Sequence, residues 1–373
     1  MNLSFLDLTI FFVYLVGIVL FGSLFFFRNR TSDQYTTGGG KLPSWVVGMS
    51  IFATFVSSIS FLALPGKAYQ SNWNSFVFSL SIPVASILAV KYFVPLYRKM
   101  NNISAYNFLE VRFGPWARIY ASVCYILTQL MRTGSILYLL ALPLSSFFGW
   151  DIWLIIVITG LSIIIYSMLG GIQAVIWTDA IQGIVLIGGA LACAGVLLFN
   201  IPGGVETVYE VGMKHGKFSL GDFGSSVTES TFWVMLIYGL FINLQNYGID
   251  QNYVQRYMTA RTLKDAQKSA FFGSMLYLPV SLLFFVIGTL LFVFYHTQPE
   301  LLPIELQNVD AADKVFPFFM VNQLPNGFTG LLIASVLAAG MSTVSTSING
   351  TSTIILTDFF KKMRKGKSGG PKF

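Results

Sequence analysis

Residues 49–66 read MSIFATFVSSISFLALPG, and the fold turns on how this stretch is read. It is apolar enough to lie in a membrane. Yet four hydroxyls, Thr54, Ser57, Ser58 and Ser60, fall in its middle, and Pro65-Gly66 follow. Non-helical backbone at membrane depth is tolerated only where it is buried in protein or lines a cavity. A hydroxyl-rich centre therefore predicts a helix that opens part-way across, turns freed carbonyls towards an ion or solute, and is closed by Pro65-Gly66. The alternative is an unbroken helix whose serines bond back to their own carbonyls or pack against a neighbour.

The surrounding composition makes the membrane setting firm. Of 373 residues 54% are hydrophobic and only 10% charged, against about 25% charged in soluble domains. Mean hydropathy is +0.68. The net charge of +7 falls in loops on one side, so it is no nucleic-acid footprint. Membrane lipid and a small solute are the expected partners, with no nucleic acid. Cys124 and Cys193 lie in apolar runs, which argues against a disulfide framework or thiolate metal site. His215 and His296 lie in or beside loops, which leaves no intramembrane histidine cluster for a metalloenzyme. Asp7 precedes the first apolar run and the first basic residue, Arg28, follows it. That is the reverse of a cleavable signal, so the first helix is expected to be retained with its N-terminus outside.

An all-α integral membrane protein with nine spans is predicted, at about 6–27, 45–65, 74–97, 117–147, 150–169, 174–199, 231–257, 268–295 and 326–359. The runs are continuous rather than alternating, which favours helices over a barrel. With the N-terminus outside, sixteen Lys and Arg fall on the cytoplasmic side, Arg28, Arg30, Arg256 and the tail lysines among them. Four, Lys67, Lys214, Lys217 and Lys314, fall outside, together with acids such as Asp310. This asymmetry is the positive-inside signature. A short lid helix is expected from Asp313 to Met320, and an interfacial helix from Ser104 to Phe113. The span from 231 also has a polar middle, Asn243 to Asn252. The second and seventh spans are thus both interrupted, five apart, which points to an inverted-repeat secondary transporter.

Several residues could carry chemistry. Arg132 lies in TQLMRTGSILY, roughly 22 Å from either end of its span at 1.5 Å per residue. A midplane arginine costs at least about 2.5–3.5 kcal/mol, so something must offset it. Either it pairs with an intramembrane acid, Asp179 being the obvious candidate, or it forks a carboxylate or other anionic substrate, the favoured reading. Asp179 could bind a cation, relay a proton or pair with Arg132. In the last span Ser342, Ser345 and Thr346 share one helical face. They serve either tight helix packing or a hard cation, and their density favours the cation. Lys91 reads as a snorkelling anchor. Gly38-Gly-Gly40 reads as a turn without phosphate-binding context.

The motifs Tyr166-Ser-Met-Leu-Gly-Gly-Ile172 with Trp177-Thr-Asp-Ala-Ile-Gln182, Asp250-Gln-Asn-Tyr-Val-Gln-Arg256, and the Ser/Thr face at 342–346 together resemble the sodium:solute symporter family. The resemblance runs from about 5 to 362. Its bacterial sialic acid transporters are the most similar branch, through the GGG turn, SIFATFVSSISF, PGKAYQSNW and Arg132. The resemblance implies a LeuT-like, five-plus-five inverted-repeat core and sodium-driven import by alternating access. It also implies Na+ as coupling ion and a cell-membrane location. A common sodium site would use the carbonyls of Ala53, Val56 and Ala339 with the hydroxyls of Ser342 and Thr343. A second sodium site would use Asp179, Ser342, Ser345 and Thr346. The substrate pocket would hold Phe55, Ser57, Ser60, Ser79, Arg132 and Phe241, with Ser57, Ser60 and Arg132 on the carboxylate.

Phe55 and Ser60 stand where the sialic acid transporters have threonines, and Ser79 where they have glutamine. The carboxylate end is kept, so a small anionic sugar acid, sialic acid or a related one, is the expected cargo. A neutral sugar or polyol, with Arg132 then structural, is the alternative. An intramembrane enzyme is not expected, because the spans hold no plausible catalytic dyad. The expected layout is one membrane domain over 1–373. It comprises a leading helix at 6–27, the first five-helix repeat at 45–199, the first three helices of the second at 231–359, and a cytoplasmic tail at 360–373. The second repeat would then be incomplete at the C-terminus, as in a fragment or a truncated, non-transporting homologue.

Overall fold

The computed structural model describes residues 4–27, 31–100, 102–308 and 312–365. Arg28, Arg30, Asp310 and the end of the expected tail, 366–373, lie outside the described residues. The elements are α1 (Phe5–Ser23), α2 (Ser44–Phe55), α3 (Ser58–Gln70), α4 (Asn74–Met100), α5 (Asn107–Phe113), α6 (Pro115–Phe148) and α7 (Ile152–Asn200). They continue with α8 (Gly204–Lys214), α9 (Phe232–Ile249), α10 (Gln251–Thr259), α11 (Leu263–Thr297), α12 (Ala312–Asn322) and α13 (Phe328–Ile354). Among the described residues seven helices are long and apolar enough to cross a membrane, or eight if α2 and α3 count as one bent span.

The breaks between these helices follow from local chemistry. Val56 (φ −86°, ψ 116°) and Ser57 (φ −103°, ψ 167°) are extended, and α2 and α3 meet at 59°. The Ser57 hydroxyl accepts from Ser60 N at 3.3 Å and so caps the new helix. Pro65-Gly66 does not close the span: both lie inside α3, which continues to Gln70. The break falls at the hydroxyls because Ser57 can satisfy a new helix start, whereas Pro65 removes only one donor from a helix that neighbours support. Asp250 (φ −73°, ψ 126°) separates α9 from α10 in the same manner, its side chain accepting from Asn252 N at 2.7 Å.

α7 is 49 residues long, about 73 Å if straight, more than twice a hydrocarbon core. It is broken at Gly171 (φ 55°, ψ −154°), a conformation that suits glycine. A Cβ there would also lie 2.8 Å from the Tyr35 carbonyl oxygen.

The core runs along α13. Of its most apolar window 89% is buried, and it packs lengthwise on α7. Its N-terminus is held by Asp7, which is 3% exposed and accepts from Gly327 N (2.8 Å) and Gly330 N (2.7 Å). A carboxylate at a helix start meets both the free N–H groups and the positive end of the dipole. The expected lid helix is α12, packed on α3. The expected interfacial helix is α5, shorter than predicted, with Val111 and Phe113 exposed.

α11 crosses α3 so closely that a Cβ on Gly288 would sit 2.2 Å from the Pro65 carbonyl oxygen. Gly288→Ala is expected to destabilise by about 1–3 kcal/mol through overpacking. Gly188→Ala, with nothing within 4 Å, should be neutral. Thermal unfolding in detergent of the two variants side by side checks this.

The connection from α8 to α9 is tied down by Lys217, which donates to the carbonyls of Tyr69 (2.6 Å) and Ser71 (3.0 Å). Its ammonium also lies 3.8 Å from the Phe292 ring centroid. Burial pushes the Lys217 pKa down to about 8, against about 10.4 for a free lysine. Between these values the unfolded chain binds more protons, so stability should rise with pH across that window. Comparing melting at pH 7.5 and pH 10 for wild type and Lys217→Met tests this: only the wild type should carry the rise.

Candidate functional site

The last helical bond of α2 runs from Val56 N to Phe52 O (3.2 Å), and the first of α3 from Phe61 N to Ser57 O (3.1 Å). The carbonyls between them are released from the ladder, and two receive hydroxyls from α13. Ser342 donates to Ala53 O at 2.9 Å, and Thr343 lies 3.4 Å from Val56 O. Both hydroxyls also reach Ala339 O, at 3.2 and 3.0 Å. The three carbonyls and two hydroxyls of the expected common sodium site therefore converge. Every one of these residues is at most 2% exposed. Oxygens spaced by 2.9–3.4 Å match neighbouring ligands around a hard cation held at about 2.4 Å.

One turn further along α13 the arrangement is different. Asp179 pairs with Arg256, not with Arg132: Arg256 Nη2 is 2.7 Å from Asp179 Oδ2. The same nitrogen is 2.6 Å from Thr346 Oγ1. Arg256 Nε donates to Ser50 Oγ (2.7 Å), Nη1 to Asn252 O (2.7 Å), and Ser50 Oγ donates to Asp179 Oδ2 (2.6 Å). Ser345 donates to Ser342 O at 3.0 Å. Arg256 is 1% exposed, so the expectation that it is a loop charge is corrected. The break at Asp250 starts α10, a helix whose nine residues are all buried, and α10 carries Arg256 inward. Asp179 Oδ1 is buried without a hydrogen-bond partner among the described residues.

The other side of the break opens into a cavity of about 330 Å³ lined by Phe55, Ser60, Ser79 and Arg132, with Phe78, Asn246, Tyr253 and Tyr277 among the remaining walls. Phe55 stacks on Tyr247 at 5.7 Å and meets Tyr277 edge-on at 4.4 Å, which forms an aromatic floor. Ser79 shares a 2.8 Å hydrogen bond with Ser281. Arg132 is half-buried and, among the described residues, makes no hydrogen bond or ion pair. Ser57 is one step removed, 3.3 Å from the Ser60 hydroxyl. Phe241 is not brought to the cavity. It lies on α9 two residues from buried Gly239 and Asn243, about 200° round the helix from each at 100° per residue, and is 66% exposed.

A model of the sodium:solute symporter family matches residues 35–370. The chain belongs to that family. Members of the sodium:solute symporter family are transporters, not enzymes, and sodium is the coupling ion. The chain is 36% identical over 366 residues to the sodium/sialic acid symporter SiaT of Proteus mirabilis, covering 98% of this chain and 73% of that one. It is 35% identical to the sodium/sialic acid symporter NanT of Aliivibrio fischeri, over 97% of this chain and 71% of that one. The human sodium/iodide cotransporter is 32% identical over 92% of this chain and 54% of its own length. A solved substrate-bound, outward-open structure of a Na+-coupled sialic acid symporter superposes with a TM-score of 0.93 at 35% identity. It covers 100% of this chain and 76% of that chain.

Several site residues escaped sequence reading. Tyr277 comes from an apolar run without a distinctive pattern, whereas Asn246 and Tyr253 lie in the polar stretch from Asn243 and the motif from Asp250, which marked the segments but not these side chains. Arg256 did carry a signal, because it closes the motif that begins at the helix-breaking Asp250.

Thr343→Ala removes one of the five converging oxygens and should weaken sodium binding about tenfold or more, as perturbing a metal shell does. Thr343→Ser should stay near wild type. Binding of radioactive sodium to purified protein reads the difference, and an unchanged alanine variant would remove Thr343 from the set.

Proposed function

We propose that this chain couples inward sodium movement to import of a small anionic sugar acid, sialic acid or a related acid. Arg132 carries the proposal. A guanidinium at membrane depth that forms no direct ion pair among the described residues, with Asp250 acting on it only at longer range, keeps its fork free on the wall of a cavity for an anion that arrives from outside. A planar carboxylate suits its fork, with the Ser60 hydroxyl beside it and Ser57 behind. The cavity of about 330 Å³ is at the small end of ligand pockets, a size for one sugar unit. Phe55 and the short Ser79 leave fewer polar contacts away from the carboxylate, which favours acids with a smaller or less polar tail. The sialic acid symporters among the relatives support the same cargo.

Sodium is held in this reading at the Ala53, Val56, Ala339, Ser342 and Thr343 oxygens, and a second ion at Asp179, Ser342, Ser345 and Thr346. Splitting α7 at Gly171 and joining α2 with α3 gives nine spans. On that count 45–199 is a first five-helix repeat and 231–359 begins a second. The interruptions at Val56–Ser57 and Asp250 take equivalent places in the two repeats. The N-terminus lies outside and the basic stretch Lys361–Lys365 that follows α13 inside, following the lysine and arginine bias. Alternating access then moves solute and ions past the broken helices.

Uptake of labelled sialic acid into proteoliposomes under an inward sodium gradient tests the reading. Sodium-dependent uptake is expected, and Arg132→Ala should lower it by about 100-fold or more, the loss of a charge-assisted bidentate contact. Sodium-dependent uptake of a neutral sugar that survives Arg132→Ala would overturn the acid assignment.

A further inference from the structure

Two of the four side chains of the proposed second sodium site already hold a cation. Arg256 Nη2 touches both Asp179 Oδ2 (2.7 Å) and Thr346 Oγ1 (2.6 Å). The guanidinium is fixed from its other edges by Ser50 Oγ and Asn252 O, each at 2.7 Å. Asp179 is fully buried and Arg256 1% exposed, so neither charge is screened by solvent. The pair is electrically neutral. A sodium ion entering beside Asp179 adds a positive charge next to an arginine that has nowhere to lose its own. Oδ1 is the free oxygen of that carboxylate, so a position for the ion exists while the charge balance opposes it.

We infer that Arg256 is a built-in counter-cation that keeps the second sodium site weak, so that the ion bound at Asp179 is released on the low-sodium side. The inference rests on the proposed sodium role of Asp179. Without Arg256 the buried carboxylate would bind sodium as its sole counter-ion and hold it. A symporter whose ion stays bound cannot reset, so tight binding would slow turnover. The charge is the active property here, while the four hydrogen bonds set where it sits.

The test is sodium binding to purified full-length protein, read as bound radioactive sodium per chain and its half-saturation, with uptake measured in parallel. Arg256→Gln should tighten the weaker of two sodium sites by about tenfold or more and lower turnover. Millimolar guanidinium should restore the weak affinity in Arg256→Gln and leave wild type unchanged. Arg256→Lys keeps the charge and should bind sodium within about threefold of wild type, half the energy of one tenfold step. If the glutamine variant does not fold, the lysine variant decides alone: tightening of about tenfold would overturn the inference. Unchanged or weaker sodium binding in a folded Arg256→Gln protein would overturn it as well. Asp179→Asn separates the two levels. Loss of one bound sodium upholds the second site whatever Arg256 does, whereas an undiminished sodium count removes the site and this inference with it.

Discussion

Everything in this structure depends on the rule that a peptide group inside a bilayer cannot be left without a partner. Helices satisfy the rule within themselves, so a break must be answered from elsewhere. At Val56–Ser57 the answer comes from α13, whose Ser342 and Thr343 hydroxyls lie against the freed carbonyls of Ala53 and Val56. The same oxygens are what a hard cation needs. One defect thus creates the proposed ion site, and the adjoining opening between α2 and α3 becomes a cavity wall.

The helix that answers the break has to be placed firmly. α13 is buried along nearly its whole apolar length and packs on α7. Its start is fixed by Asp7 across more than 300 residues of chain. Close crossings such as Gly288 on Pro65 hold α11 against α3. Small residues matter here because lipid tails give little hydrophobic drive between helices, which leaves contact distance to do the work.

Two arginines at membrane depth, Arg256 buried and Arg132 half-buried, illustrate how context assigns a role. Arg132 and Arg256 are both isolated cations in polar stretches of apolar segments. Arg256 meets Asp179, Ser50, Thr346 and Asn252 and is saturated by the protein. Arg132 faces a cavity and keeps its fork open. A saturated arginine tunes its surroundings, whereas an open one is complementary to something that is not part of the chain. That contrast underlies both the cargo proposal and the second-site inference.

The sequence alone determined the membrane setting, the opening within Thr54–Ser60, the interruption after Asn243, the hydroxyl face of 342–346 and the weight on Arg132. Each is a local pattern of polarity against an apolar background, and the bilayer penalises polarity so heavily that the pattern has few interpretations. Four points were decided only by the tertiary structure. Asp179 could be matched to its arginine only once α7 and α10 were brought together across 77 positions. The run to Gln70 past Pro65, and the outward direction of Phe241, depend on which neighbours support or face each helix. The aromatic floor of Phe55, Tyr247 and Tyr277 joins three helices. Sequence periodicity says which side of a helix is apolar, but the identity of what lies opposite is set by packing, and packing is a property of the whole chain.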